Sequence, residues 1–202
     1  MDYPQIEGTN NRPILNLNRQ IKDLVTRTYR WPLSRPTKKD LLYYSKWPKV
    51  FNTVNLEYDI VLADDRLLSI YFMAYQYGIG AAHSVHQSFT VNYDFESHRR
   101  LVLVDLFKPG AKFLQIISQR CIENLSKDAP YLKEDSYFSE GLRPKARNFE
   151  SWNITRRGVR INFDACKVNG CASGDLIVEI PLDQFNRLVK PNGPLSRIVA
   201  TQ

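Results

Sequence analysis

Between Asn52 and Ala74 the apolar residues recur at every second position, and this alternation constrains the fold more than any other feature of the chain. Val54, Leu56, Tyr58, Ile60 and Leu62 fall on one face of an extended segment, with Asn55, Glu57, Asp59 and Val61 on the other. Ala63-Asp64-Asp65-Arg66 reads as a turn, and Leu68, Ile70, Phe72 and Ala74 then resume the alternation. A period of two is the side-chain geometry of a strand and scatters the same residues around a helix. The segment is therefore a β-hairpin. On both sides of it the period changes. Upstream, Ile14, Leu17, Ile21, Leu24 and Val25 keep the spacing of one helix face, which predicts a helix over 13–29 with Pro13 in its first turn. Downstream, Phe113, Leu114, Ile117, Cys121, Ile122 and Leu125 predict a second amphipathic helix over 113–126, packed on the sheet.

Further strands are expected over 85–93 and 101–104, joined by the polar turn Glu96-Ser97-His98-Arg99, so that four consecutive strands make an antiparallel meander ended by Lys108-Pro109-Gly110. A polar stretch follows from Lys127 to Arg147. Trp152 and Ile154, the turn Arg156-Arg157-Gly158, and Val159, Ile161 and Phe163 form another hairpin. Leu176, Val178 and Ile180 make one more strand, stopped by Pro181, and Leu182, Phe185, Leu188 and Val189 then sit at helical spacing until Pro191. Residues 31–48, with Pro32, Pro36 and Pro48, read as a long, mobile connection carrying one short helix near 38–44. The fold class is α+β: a mixed, largely antiparallel sheet with two or three helices packed on it. An N-terminal helix-plus-meander part over 1–95 and a C-terminal α+β part over 96–202 are expected to form one compact unit.

With 202 residues, 43% of them hydrophobic, the chain can bury a real core, which excludes disorder, collagen and coiled coil. No window approaches the roughly 18 uninterrupted apolar residues of a membrane helix, so no membrane span is expected. A net charge of +7 and a pI near 9.3 favour anionic partners without naming one. Residues 1–13 carry neither the basic nor the apolar region of a signal peptide; Met1 is either a native start or one added to a trimmed domain.

Few residues carry recognisable chemistry. His83 and His86 would share a face on a helix, but here loop runs into strand and they diverge; no third ligand stands at suitable spacing, so no metal is expected. His83 is expected to hydrogen-bond loop backbone. Asp64-Asp65 and Glu134-Asp135 are carboxylate pairs of the kind turns favour, and no Gly-x-Ser-x-Gly or phosphate-binding glycine loop is present. Neither catalysis nor a cofactor is expected. The basic clusters Arg99-Arg100, Arg143-x-Lys145-x-Arg147 and Arg156-Arg157-x-x-Arg160 each fall at a turn, where charge is solvated, and nucleic acid is not expected as a partner. Tyr71, Tyr75 and Tyr77 share one strand face, either as half-buried packing or as a binding strip.

Several phrases resemble one family in order along the chain. Tyr3-Pro4-Gln5-Ile6, the helix beginning Ile14-x-x-Leu17, and Leu68-Ser69-Ile70 with Tyr75-x-Tyr77-Gly78 resemble the first of two linked domains; Gly80-Ala81-Ala82-His83, Phe89-Thr90-Val91-Asn92-Tyr93-Asp94, the run from Leu103 to Gly110, Asn148-Phe149-x-x-Trp152-Asn153-Ile154-Thr155, Gly158-Val159-x-Ile161-x-Phe163-Asp164 and Val178-x-Ile180-Pro181 resemble the second. This pair is similar to the extracytoplasmic part of the anti-sigma factor RsiV and its relatives, domains of unknown function also found beside polysaccharide deacetylases. The resemblance implies a binding domain outside the cytoplasmic membrane, periplasmic or extracellular once a signal peptide has been removed; in RsiV it binds lysozyme.

Where relatives tend to carry two tyrosines, this chain has Cys166-Lys167-Val168-Asn169-Gly170-Cys171. The Asn169-Gly170 turn pair is compatible with a Cys166–Cys171 disulfide, the alternative being two buried thiols filling tyrosine space. Cys121, on the apolar face of its helix, reads as a core residue. The sequence carries neither a sigma-binding segment nor a membrane helix, which favours a free-standing inhibitor, or an immunity protein against a peptidoglycan-degrading toxin, over a sensor. The expected partner is a protein, a cell-wall hydrolase or toxin of acidic or neutral charge; the alternative is peptidoglycan or another anionic envelope polymer. The expected surface comprises Tyr75, Tyr77, His83 and His86 together with Arg143, Lys145 and Arg147.

Overall fold

A computed structural model describes residues 2–8, 11–29, 37–45, 53–78, 81–127, 132, 136–168 and 174–199. The α+β class holds, with antiparallel strands distributed over two sheets. The first sheet has the order β1-β2-β3-β4, with β1 at Thr53–Ala63, β2 at Leu67–Tyr77, β3 at Val85–Asp94 and β4 at Arg99–Arg100. The second has the order β5-β6-β7, with β5 at Trp152–Ile154, β6 at Gly158–Phe163 and β7 at Leu176–Pro181. The helices are α1 (Arg12–Tyr29), α2 (Lys38–Tyr44), α3 (Phe113–Leu125), α4 (Ser136–Gly141) and α5 (Pro194–Val199). Among the described residues no helix is long and apolar enough to cross a membrane.

The chain divides into two compact units, and the division is not a single cut: one holds residues 1–58 and 72–87, the other 59–71 and 88–202. In the first, Ile14, Leu17, Ile21 and Val25 line the buried stripe of α1, as the spacing predicts. The Asn18 amide accepts the Ile6 N–H at 3.0 Å and donates to the Ile6 carbonyl at 2.9 Å, tying the leading segment to the helix. In the second unit one continuous core joins Leu62 and Leu67 to Phe107, Ile117, Cys121, Trp152, Ile161, Val178 and Phe185. α3 packs against β7 in this unit. The β5–β6 turn is held by Thr155, whose hydroxyl accepts the N–H groups of Arg157 and Gly158 and donates to Glu179. Gly158, at φ +155°, lies so near the Ile180 carbonyl that a Cβ would meet it at 2.2 Å, so glycine is required there.

Two elements depart from the sequence expectation. The strand expected over 101–104 is instead the short β4 at Arg99–Arg100, followed by a 3₁₀ turn at Leu103–Leu106. The cause is Asp105, whose carboxylate accepts the Val102 N–H at 2.8 Å and thereby caps a turn where a ladder would need that donor. The helical spacing at Leu182, Phe185 and Leu188 resolves into two 3₁₀ turns, Leu182–Gln184 and Asn186–Leu188. An interval of three is the 3₁₀ repeat, and Asn186 at φ +36° interrupts any continuous helix. The polar stretch at 127–147 contains α4, whose Phe138 is buried, and Leu142 just beyond it is buried too.

Candidate functional site

β4 is two residues long, and its side chains point to opposite faces. Arg99 turns to the Asp105 carboxylate at 2.8 Å. Arg100 turns the other way, donating from Nη2 to the Thr90 carbonyl at 3.0 Å, and lines an open cleft of about 330 Å³. The 3₁₀ turn that Asp105 caps sets Val102 and Val104 outward, 59% and 54% exposed, while Leu101 goes inward. Phe113 and Leu114 from the start of α3, and Phe149 and Trp152 on either side of the entry to β5, complete an apolar wall, with Glu150 the other charged lining residue. Phe113 is held by stacking on Phe107, ring centroids 4.4 Å apart, and Phe107 packs in turn on Phe185.

Trp152 is fixed by a buried polar network. Asn92 donates to the Trp152 carbonyl at 2.8 Å and accepts from the Ser69 hydroxyl at 2.7 Å. The Ser69 oxygen accepts from the Asn153 side-chain amide at 2.9 Å and the Ile154 N–H at 3.1 Å, and Asn153 Oδ1 accepts from the Asn162 side-chain amide at 3.0 Å. All of these residues are at least nine-tenths buried. Ser69 of β2 and Asn92 of β3 are thus joined to β5, and through Asn153 to β6, by hydrogen bonds in a low dielectric, with the buried Asn162 Oδ1 left without a partner among the described residues.

Electrostatically the cleft is uneven. Desolvation alone pulls the Arg100 pKa below the ordinary arginine value, although the residue as a whole is exposed. Arg99 moves the opposite way, raised first by its hydrogen bond to Asp105. The neighbouring charged hollow, about 300 Å³, is self-paired: Arg197 meets Asp94 at 3.0 Å and also Glu96, while Arg99 meets Asp105.

These elements have known counterparts. Residues 104–183 match the DUF3298 family, described as protein of unknown function. Over 139 residues the chain is 30% identical to the peptidoglycan-N-acetylmuramic acid deacetylase PdaC of Bacillus subtilis; the match takes in 69% of this chain and 30% of that enzyme. Two solved structures share the fold. A DUF3298 family member from Bacteroides fragilis has a TM-score of 0.69 at 18% identity, covering 98% of this chain and 85% of its own. A DUF3298 family protein from Pseudomonas aeruginosa has a TM-score of 0.62 at 21% identity, covering 87% of this chain and 79% of its own. The likeness thus extends to a DUF3298-type domain that is also found beside a peptidoglycan deacetylase.

The expected binding residues fall into different units. Tyr75, Tyr77, His83 and His86 belong to the first, Arg143, Lys145 and Arg147 to the second. Tyr75 and Tyr77 are half-buried, and Tyr75 meets the His86 ring edge-on at 4.7 Å. His86 Nε2 lies 3.2 Å from the Ser84 hydroxyl, and His83 Nδ1 lies 3.0 Å from the Ser84 carbonyl, the loop-backbone contact expected of it. In the second unit Glu140 gathers the basic cluster, pairing with Arg143 at 2.8 Å and Lys145 at 2.9 Å. The Lys145 hydrogen bond, followed by the charges of Arg143, Lys145 and Arg147, holds the Glu140 carboxyl below its usual range. Two of these three cations are therefore already answered within the chain. Among the described residues no group of three His, Cys, Asp or Glu side chains is placed to hold a metal ion. Cys121 is a fully buried thiol whose pKa is pushed up by burial. Cys171 lies outside the described residues, as do residues 31–36 and 46–48 of the expected mobile connection.

The cleft itself escaped the sequence reading because Leu101 to Val104 alternate as a strand does. The available signal was Asp105, a turn-capping residue placed where such a strand should have continued.

Proposed function

We propose that this chain is a non-catalytic, extracytoplasmic binding module that recognises a protein at work on the bacterial cell wall, a peptidoglycan hydrolase or toxin, and inhibits it by occluding its cleft. One observation carries the reading: an apolar cleft of about 330 Å³, walled by Phe113, Phe149 and Trp152, has Val102 and Val104 standing at 59% and 54% exposure beside it. Apolar anchors buried in such a hollow supply most of the energy of a protein interface, whereas a glycan would ask for more polar groups on the lining. The likeness to part of a peptidoglycan deacetylase supports the cell wall as the setting. The RsiV-like role, lysozyme binding, is one form of this reading; the net charge of +7 favours an acidic or neutral enzyme.

The test is isothermal titration of the purified chain against purified peptidoglycan hydrolases, with Val102→Asp beside the unaltered protein. Binding at micromolar Kd or tighter, weakened at least about tenfold by a charge placed in the apolar mouth, is the expected result. If no hydrolase binds and isolated sacculi retain the chain in a salt-sensitive way, the envelope-polymer reading replaces this one.

An extracytoplasmic site also supports the Cys166–Cys171 disulfide as a proposal. Thiol titration then has a definite outcome. The native protein should release no reactive thiol, because Cys121 is wholly buried. Unfolding without reductant should expose Cys121 alone, and reduction should expose all three cysteines. Three thiols on unfolding without reductant would remove the disulfide.

A further inference from the structure

Arg100 and Glu150 are the two charged residues on an otherwise largely apolar lining, and neither forms an ion pair with a described residue. Arg99, one residue away, has Asp105. Arginine stays charged under all ordinary conditions, so a guanidinium on a largely apolar lining, bonded among the described residues to the Thr90 carbonyl and to no carboxylate, is open to an anion. The hollow is small, and the cation stands on the same lining as the apolar wall. A ligand that satisfies both must therefore carry its carboxylate and its apolar group close together. The last residue of a polypeptide does so from a single Cα, and its amide N–H is left to meet the Glu150 carboxylate.

We propose that the cleft captures the apolar C-terminal residue of a partner polypeptide, with the side chain against Phe113, Phe149 and Trp152, the terminal carboxylate on Arg100 and the N–H toward Glu150. This rests on the protein-binding reading and specifies what the partner presents.

The test needs no partner. The full chain is titrated, by NMR, with N-acetyl-phenylalanine, with its amide N-acetyl-phenylalaninamide and with N-acetylmuramic acid. The acid should bind about tenfold more tightly than the amide, the size of one charge-assisted, bidentate pair. In Arg100→Ala, whose position is exposed and outside the core, the acid should fall to the level of the amide with Tm unchanged. Arg100→Lys, which keeps the charge but loses the fork, should restore part of the difference. Equal binding of acid and amide, the absence of binding at millimolar concentration, or tighter binding of N-acetylmuramic acid would each overturn the proposal. Its failure leaves the hydrolase titration standing; conversely, discrimination of acid from amide with no hydrolase bound would keep the site and remove the inhibitor reading.

Discussion

Asn92→Ala is expected to cost about 4 kcal/mol of folding stability, which in a chain of this size lowers Tm by roughly 8–16 °C. Asn92 is 2% exposed and holds three groups at once: the Ser69 hydroxyl, the Trp152 carbonyl and a share of the Ile154 N–H. Alanine leaves the Trp152 carbonyl and the Ser69 proton without partners in a dry interior, each worth about 1–3 kcal/mol, and adds a cavity. Ser69→Ala should cost less. It removes a donor to Asn92 and the acceptor of the Asn153 amide, but the Ile154 N–H keeps Asn92 at 3.3 Å, the Trp152 carbonyl keeps its donor, and the cavity left is smaller. Urea unfolding of both variants beside the unaltered chain reads the difference, and a loss under about 1 kcal/mol for Asn92→Ala would mean that the network adds little. Because Asn92 and Trp152 both line the cleft, the destabilised variant should also bind partner more weakly.

How far the residues announce the fold depends on how local the deciding force is. The hairpin of β1 and β2, the helices α1, α2 and α3, and the pairing of β5 with β6 are set by periodicity and by turns such as Asp64, whose carboxylate accepts the N–H groups of Arg66 and Leu67. All of these are legible in the sequence. The turn at Leu103–Leu106 is not, because it follows from one carboxylate outbidding a strand for a single N–H. Nor is the Ser69–Asn92–Asn153 network, whose members are 23 and 84 residues apart along the chain and look like ordinary polar residues until the strands bring them together. The site followed the same rule. Exposed turns drew attention to Arg143 and Lys145, which the fold neutralises through Glu140, while Arg100, one basic residue among many, is the cation left on an apolar lining.

Arg197→Ala is the other change with a large expected effect, about 3 kcal/mol at neutral pH. Arg197 lies on α5, beside the fully buried Leu195, and its side chain is 12% exposed against 8% for Asp94 at 3.0 Å, with Glu96 on its other terminal nitrogen. Removing it strands a buried carboxylate, although Ser97 and the Glu96 N–H continue to donate to Asp94. The pH dependence separates this from a simple packing loss. Burial by itself would raise the Asp94 carboxyl, but hydrogen bonds from Arg197, Ser97 and the Glu96 N–H, with the arginine charge, outweigh it and hold the pKa below the usual carboxylate range. A depressed pKa contributes stability that is complete above the unfolded value, about 4, and is lost as pH falls through the folded value. In Arg197→Ala the burial effect loses its main opponent, the carboxyl titrates higher, and protonation on acidification relieves the variant while it weakens the unaltered chain. The gap between the two should therefore be widest near neutrality and narrow as the pH drops below about 4. Urea midpoints across that range decide it: a gap that stays constant with pH would mean that Arg197 holds α5 through packing, with its charge on Asp94 contributing nothing measurable.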